Sequence, residues 1–442
     1  MLFASVGIVG FLLVLINAKL LPVFFLLIGT LLFILDKKSL LIVLYVIYVP
    51  TNGLINRTDF IFSLLGIQQI LGILTFISLL RVKVPVGSIT KLQQLAVRLM
   101  MVLLVYVSYT YLKNAMFGLQ DMGWTDAFKK ILNVAVLYGP LVLLLRKCGS
   151  DSIKGWVLLG AFFGVINQVV YCYLSPFLPG LGFYSQGTEA FFSTGLEDDV
   201  SRYVGIMGNG DSNTLGVFFV MSIGFFLSHS ASFNRSLIIK VLCGFAAVAI
   251  ALTASRTAFL SLGIVGMIFL AQDGSKKVRF QLIIGALLIG AVSSPLWDTL
   301  LTRLSGAGAE QLSTDTSGNR IGKWLLYFQH FVSHPLTFLR GSSEPILIGF
   351  NNVFIAAHNF YIQVIYNAGL GILALFIMQY FNLFKLMFRK IPSRNLIYIV
   401  FPFLAITIFV SDYGIFMYFC VFLALYTTRF AEKQKQASLN QV

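Results

Sequence analysis

A histidine and an asparagine, His358 and Asn359, stand at the head of the apolar run FIAAHNFYIQVIYNAGLGILALF, residues 354–376. The run reads as a helix continuing to about Phe384. An imidazole titrates close to neutral pH and can take up or release a proton there. The plainer reading is a polar pair that caps a membrane helix and bonds to lipid headgroups. Arg256, in ALTASRTAFL, stands at a tight corner between two apolar runs. A guanidinium at such a corner either snorkels to headgroup phosphates or waits as a fixed cation for an anionic ligand, which its planar fork grips with two parallel hydrogen bonds. Ser255 or Thr257 would cap the following helix.

Further candidates lie on either side. GNRIGKWLLYFQHFVSHPLTFLRG has helical period from Arg320 to His334. Arg320, Lys323, Tyr327, His330 and His334 fall along one stripe, and Leu325, Phe328, Phe331 and Val332 largely along the other, as in an amphipathic helix lying in a membrane interface. Trp324 and Tyr327 would suit the headgroup level, and Arg320 offers a second phosphate contact. His330 and His334 have the i, i+4 spacing of a metal pair, but Phe331 stands where a zinc protease needs its glutamate, so no metal site is assigned. SRYVGIMGNGDSNTLG enters another helix near Asp211 with Gly205, Gly208 and Gly210 freeing the backbone. Such an entry can hold phosphate, although Asp211 would repel it. Arg202 beside it is a third candidate cation. Asp412, in IFVSDYGIF, reads first as a turn residue between two short apolar runs.

The elements that must position these groups are membrane helices. The chain has 442 residues, of which 58% are hydrophobic and only 11% charged, more apolar than a soluble protein of this length requires. Bilayer-length runs recur between short polar joints, and an open sheet cannot satisfy its backbone in lipid. The expected fold is therefore an all-α, polytopic integral membrane protein forming one transmembrane domain over residues 1–442. The first apolar run begins at Met1 without a basic leader and reads as a retained span. Cys148, Cys172, Cys243 and Cys420 lie far apart without CxxC spacing and read as membrane thiols.

The net charge of +15 does not point to nucleic acid, because the basic residues gather in joints. Lys37 and Lys38, Arg146 and Lys147, Lys276 and Lys277, and Lys385 with Arg389 follow the positive-inside bias of cytoplasmic loops. Intervening joints hold most acids, among them Glu197, Asp198 and Asp315, and read as external. Threading the chain through this alternation gives roughly fourteen helices with both termini cytoplasmic, or roughly twelve if the first two runs do not cross. Their expected starts lie near residues 2, 20, 39, 60, 94, 130, 155, 211, 237, 257, 279, 357, 395 and 413. Residues 179–210 and 297–356 become external loops, the second and larger holding the amphipathic interfacial helix. On this topology every candidate residue reaches the outer face. Arg98 and Lys240, near inner helix ends, simply snorkel.

The order TASRTAFLSLG, GNRIGKWLLYFQHFVSHPLTFLRG, AAHNFYIQVIYNAGLGILAL resembles the bacterial superfamily of O-antigen ligases and O-antigen or capsular polysaccharide polymerases, over roughly residues 200–415. The family pattern is a Ser-Arg corner, a large outer loop with Arg, a downstream Trp and a P-x-x-x-x-G turn, then His-Asn opening an apolar helix with Gly-x-x-Gly nearby. Here these are Ser255–Arg256, Arg320 with Trp324, Pro335 to Gly341 as a looser version of the turn, His358–Asn359, and Gly369 to Gly371 as G-L-G in place of Gly-x-x-Gly.

The resemblance implies a metal-independent glycosyltransferase with no cofactor. Its donor is a glycan on undecaprenyl diphosphate at the external face of the bacterial cytoplasmic membrane. An acceptor hydroxyl attacks the anomeric carbon and the lipid diphosphate leaves. Arg256 and Arg320, with Arg202 as helper, would bind the diphosphate, and fixed cations there lower the barrier. His358 would take the hydroxyl proton and Asn359 would orient it. Asp412 matches by position an acidic residue important in the ligases, with a catalytic role in orienting His358 or the acceptor. A polymerase, which adds the glycan to another lipid-linked repeat unit, is the expected activity, with a chain-length regulator and a flippase as partners besides membrane lipids. The alternatives are a ligase transferring the glycan to lipid A-core or protein, and a transporter of lipid-linked oligosaccharide. The scarcity of charge at mid-span positions argues against the transporter.

Overall fold

A computed structural model describes residues 9–10, 12–13, 20–48, 67–83, 91–117, 122–147, 151–174, 212–228, 237–253, 255–272, 320–342, 347–348, 353–354, 357, 359–390, 400, 404 and 407. Long apolar stretches become helices, because only the helix satisfies each backbone group within its own segment. Along the described chain these are α1 (Leu20–Ile34), α2 (Lys38–Tyr48), α3 (Ile67–Leu80), α4 (Lys91–Met116), α5 (Trp124–Lys147), α6 (Asp151–Leu174), α7 (Ser212–Ser228), α8 (Leu237–Leu252), α9 (Arg256–Gln272), α10 (Arg320–Ser333), α11 (Pro335–Arg340) and α12 (Phe360–Lys390). Between α11 and α12 lies a two-residue antiparallel pair, β1 (Leu347–Ile348) on β2 (Val353–Phe354), which the sequence did not lead us to expect. The described chain is otherwise all-α. Stretches of α4, α5, α6 and α12 are long and apolar enough to cross a membrane, and α1, α2, α3, α7, α8 and α9 are shorter apolar helices.

Most helices begin where expected. The departure is α5, which opens at Trp124 rather than near residue 130; the expected start near residue 60 lies outside the described residues, and α3 is described from Ile67. Expected spans starting near 279 and 413 and the external loop 179–210 lie outside the described residues, as do most of those starting near 2 and 395.

One continuous apolar core joins α4, α5, α6, α7, α8 and α12, with Leu103, Tyr106, Leu141, Val165, Phe218, Ala246 and Phe376 inside it. Small residues set the closest approaches. A Cβ on Gly160 of α6 would stand 2.7 Å from that of Val46 in α2, and one on Gly216 of α7 would stand 2.6 Å from that of Ala258 in α9. The second contact packs the start of α7 directly on the Thr253–Ser255 corner between α8 and α9.

Lysines identify the two ends of the bundle. Lys147 closes α5 and donates to the carbonyls of Leu79 and Val82, capping the end of α3. A cation at a helix C-terminus meets unpaired carbonyls and the negative end of the dipole. The joint between α4 and α5 is short, so α4 ends at the opposite end of the bundle. There Lys113 donates to the carbonyls of Ser342, just past α11, and Asn367, inside α12.

α12 is two arms rather than one rod. Gly369 has φ 80° and ψ 175°, far from helical values. The rings of Phe360 and Phe376 stand 5.2 Å apart between centroids. In an unbroken helix their Cα atoms would be roughly 24 Å apart. Tyr106 of α4 touches both rings, at 6.4 Å and 6.2 Å. Residues 360–368 therefore climb to Gly369 at the Lys113 end, and residues 370–390 run back along α4. The long arm alone is about 31 Å, enough to span a bilayer core. The expectation of a single helix from residue 357 to about Phe384 is corrected on both counts. The helix reverses at Gly369, and its long arm reaches Lys390.

Candidate functional site

The short arm of α12 opens on Asn359, which is 7% exposed. Its Oδ1 accepts the Ile362 N–H at 3.1 Å, and its carbonyl accepts the Gln363 N–H at 2.9 Å, the geometry of an N-cap. Gln363 reaches back, its Oε1 accepting the Ala357 N–H at 3.1 Å. The Ala357 carbonyl accepts the indole N–H of Trp324 at 2.9 Å. Both backbone groups of Ala357 are thus fixed, as is Asn359, one residue on either side of His358. The Asn359 oxygen, expected to orient His358, serves the helix as its cap.

Trp324 brings α10 with it. Tyr327 is fully buried and meets Tyr366 edge to face at 4.8 Å. Phe331 completes the contact, 6.2 Å from Tyr366 and 5.8 Å from Phe338 of α11. Burial pushes the Tyr327 phenol well above its usual range, so it stays neutral at any physiological pH. These contacts correct one reading of α10. The helix spans almost the expected residues, but Tyr327 and His330 of the expected polar stripe pack on the short arm together with Phe331 of the expected apolar stripe, while His334 stays exposed. Leu325, Phe328 and Val332 face outward, Val332 at 83% exposure, and the outward apolar face continues through Leu336 and Leu339 of α11. The Trp324 indole N–H and the Tyr327 ring bind protein. Polar character in Tyr, Trp and His misleads a pattern reading because each also carries an apolar ring that packs well.

His330 and His334 stack ring on ring, centroids 4.6 Å apart and planes at 23°. Ring-plane lone pairs of stacked imidazoles run side by side instead of converging on one point. Ser333 Oγ lies 3.0 Å from His334 Nδ1. The pair is an aromatic contact, and it joins Tyr366 through His330 at 5.5 Å.

Arg256 and Arg320 are the first residues of α9 and α10. Ser255 caps α9, its carbonyl accepting the Phe259 N–H at 2.9 Å and its Oγ 3.4 Å from the Ala258 nitrogen. Tyr361 in the short arm is tied by its hydroxyl to Thr407 Oγ1 at 2.9 Å. The side chains of Arg256 and Arg320 lie outside the described residues, as do Arg202, His358 and Asp412 altogether. What the fold joins is the segment Ala357–Asn359, the helix that Arg320 opens, and the helical position Thr407.

Sequence reasoning missed Lys113, Tyr106, Gln363 and Asn367. Gln363 Nε2 donates to Asn367 Oδ1 at 3.1 Å, and Asn367 Nδ2 donates to Tyr106 Oη at 2.9 Å. The available signal was Asn-Ala-Gly at 367–369, a helix-ending triplet inside an apolar run.

A first prediction tests the α10 contact. Trp324→Phe keeps the ring packing and removes the indole donor to Ala357. It should cost about 1–2 kcal/mol, read as a lower melting temperature of the purified protein. An unchanged melting temperature would mean the bond at the mouth contributes nothing.

No family model, no curated protein and no solved structure matches this chain.

Proposed function

We propose that this protein is a polysaccharide polymerase of the bacterial cytoplasmic membrane. In this reading it transfers a glycan from an undecaprenyl-diphosphate donor to a lipid-linked acceptor repeat unit at the external face. The proposal includes roughly fourteen membrane helices with both termini cytoplasmic. It rests on the order of the Ser-Arg, Arg-Trp and His-Asn segments and on one structural observation. Both candidate arginines open helices, Arg256 at α9 and Arg320 at α10. A helix N-terminus disfavours a cation and favours an anion, by about 0.3–1 kcal/mol. An arginine there is poorly placed for helix stability. It is well placed to share a phosphate with the free N–H groups of the first turn.

The chemistry follows from the leaving group. Lipid diphosphate departs with multiple negative charge, and preorganised guanidinium groups and N–H dipoles stabilise that charge as it develops. Arg256 and Arg320 take this role, with Arg202 as helper. His358 accepts the proton of the attacking hydroxyl, and Asp412 orients the imidazole or the acceptor. No metal is required. A ligase would use the same groups with lipid A-core as acceptor.

The transporter reading gains one specific observation. A helix that reverses at Gly369 beside a buried lysine resembles the discontinuous helices of secondary transporters. Lys113 is, however, bonded to carbonyls of its own chain, which gives it a structural use. Reconstitution separates the three readings. Purified protein given lipid-diphosphate repeat units alone should yield longer glycans. A product formed only with lipid A-core present would favour the ligase, and translocation without a new glycosidic bond would favour the transporter.

Arg320→Lys keeps the charge and loses the fork, so extension should fall about tenfold or more at unchanged protein level. Equal activity of the lysine variant would refute two-point phosphate recognition at this residue.

A further inference from the structure

The place where α12 reverses has a demand that apolar surroundings make severe. Ending the short arm at Ala368 leaves its last carbonyls without helical partners, and water is scarce inside the bundle. Two groups from elsewhere meet them. The Ser342 N–H donates to the Tyr366 carbonyl at 2.6 Å. The Lys113 ammonium, 8% exposed, donates to the Asn367 carbonyl and to the carbonyl of Ser342 itself. One cation therefore holds three segments together: α4, the end of α11 and the apex of α12. Tyr109, one turn earlier on α4, adds a bond from its hydroxyl to the Arg340 carbonyl at 2.9 Å. Tyr106, a further turn back, holds the Asn367 side chain. A single stripe of α4 thus grips the junction of α11 with α12.

We propose that Lys113 is a positioning residue. By fixing the reversal of α12 it sets where the opposite end of the short arm, the Ala357–Asn359 segment, stands in the bundle. The lever is short and rigid. Residues 360–368 form about two and a half turns of helix, so a tilt at the apex moves Asn359 directly. Trp324 to Ala357 and Tyr361 to Thr407 resist such a tilt at the far end, and α10 packs on the side of the arm at Tyr366, but the bonds that tie the apex to α4 are those of Lys113 and of Tyr106 through Asn367. The same device appears at the other end of the bundle, where Lys147 caps α3 without touching α12. The geometric part of the inference stands on its own, and its consequence for turnover rests on the transfer reaction proposed above.

The test combines amide hydrogen exchange with extension of a lipid-diphosphate-linked repeat unit, both on the full-length protein in lipid nanodiscs. Lys113→Met should speed exchange at residues 341–342 and 366–369 roughly tenfold or more. Exchange in residues 139–147 should not change. For extension, kcat should fall while KM stays within about twofold. Lys113→Gln keeps one donor and should fall between, and it carries the same readouts should the methionine variant fail to accumulate. Unaltered exchange at 341–342 and 366–369 overturns the inference. Faster exchange with kcat unchanged overturns the positioning role, and so does a rise in KM alone, which a lost ligand contact would give. A wild-type protein that extends nothing overturns the transfer reaction instead, and exchange then decides by itself whether Lys113 holds the reversal.

Discussion

Replacing His358 by alanine should abolish glycan extension while leaving the protein folded and present in the membrane. The expected loss is about 10²–10⁴-fold, the usual contribution of a positioned general acid or base. Stability should survive because the mouth of α12 is pinned by other groups. The Ala357 N–H and C=O are bonded to Gln363 and Trp324, and Asn359 caps the short arm with its own side chain. Removing the imidazole touches none of these bonds. Reconstituted extension, resolved as a ladder of glycan lengths, reads the first effect, and the melting temperature reads the second. The pairing of outcomes matters. Lost activity with an unchanged melting temperature assigns His358 to chemistry. Lost activity with a lower one assigns it to the cap. Normal ladders remove it as the base.

Much of the helix inventory was legible in the sequence, because membrane helices are written as apolar runs of a required length. The starts of α1, α2, α4, α6, α7, α8 and α9 follow from such runs and their polar joints. The helix from Arg320 was legible from its period, but not which face it buries. A period reports that two faces differ, and Tyr327 and Phe331 go inward only because Tyr366 and Ile362 are there to receive them. The reversal in α12 was hidden for a different reason. Both arms are apolar, so hydropathy runs through Gly369 without a change. Lys113 was hidden because its partners are 229 and 254 residues away along the chain. A lone lysine near a helix end reads locally as one that snorkels. Of the candidate site, the order of segments was legible and the union of α10 with the short arm was not, since one indole bond and the ring contacts of Tyr327, His330 and Phe331 with Tyr366 make it.

Gly369→Ala should damage both stability and activity, and its neighbour supplies the control. At φ 80° an L side chain is strained in any surroundings, by about 1–2 kcal/mol. Here the surroundings add to it. The new Cβ would stand 2.2 Å from the Leu339 carbonyl oxygen and 2.6 Å from its carbon, both backbone atoms that no rotamer change can clear. Gly341 forbids relief from the other side, for it also has positive φ, 83°, and lies against the Asn367 backbone. Either α11 moves away or the short arm does, and the Lys113 and Ser342 bonds at the apex are lost with the contact. A cost of roughly 3 kcal/mol or more is expected, with extension falling in step because the arm carries the Asn359 mouth. Gly371 lies two residues on, and a Cβ there would meet nothing within 4 Å. Gly371→Ala should therefore be neutral or stabilise by up to about 1 kcal/mol, the ordinary gain of alanine over glycine in a helix. Thermal unfolding of both variants, alongside the extension assay, separates local strain from a general intolerance of the run. If the two alanines behave alike, the close docking of α11 on the reversal of α12 is not what holds the short arm in place.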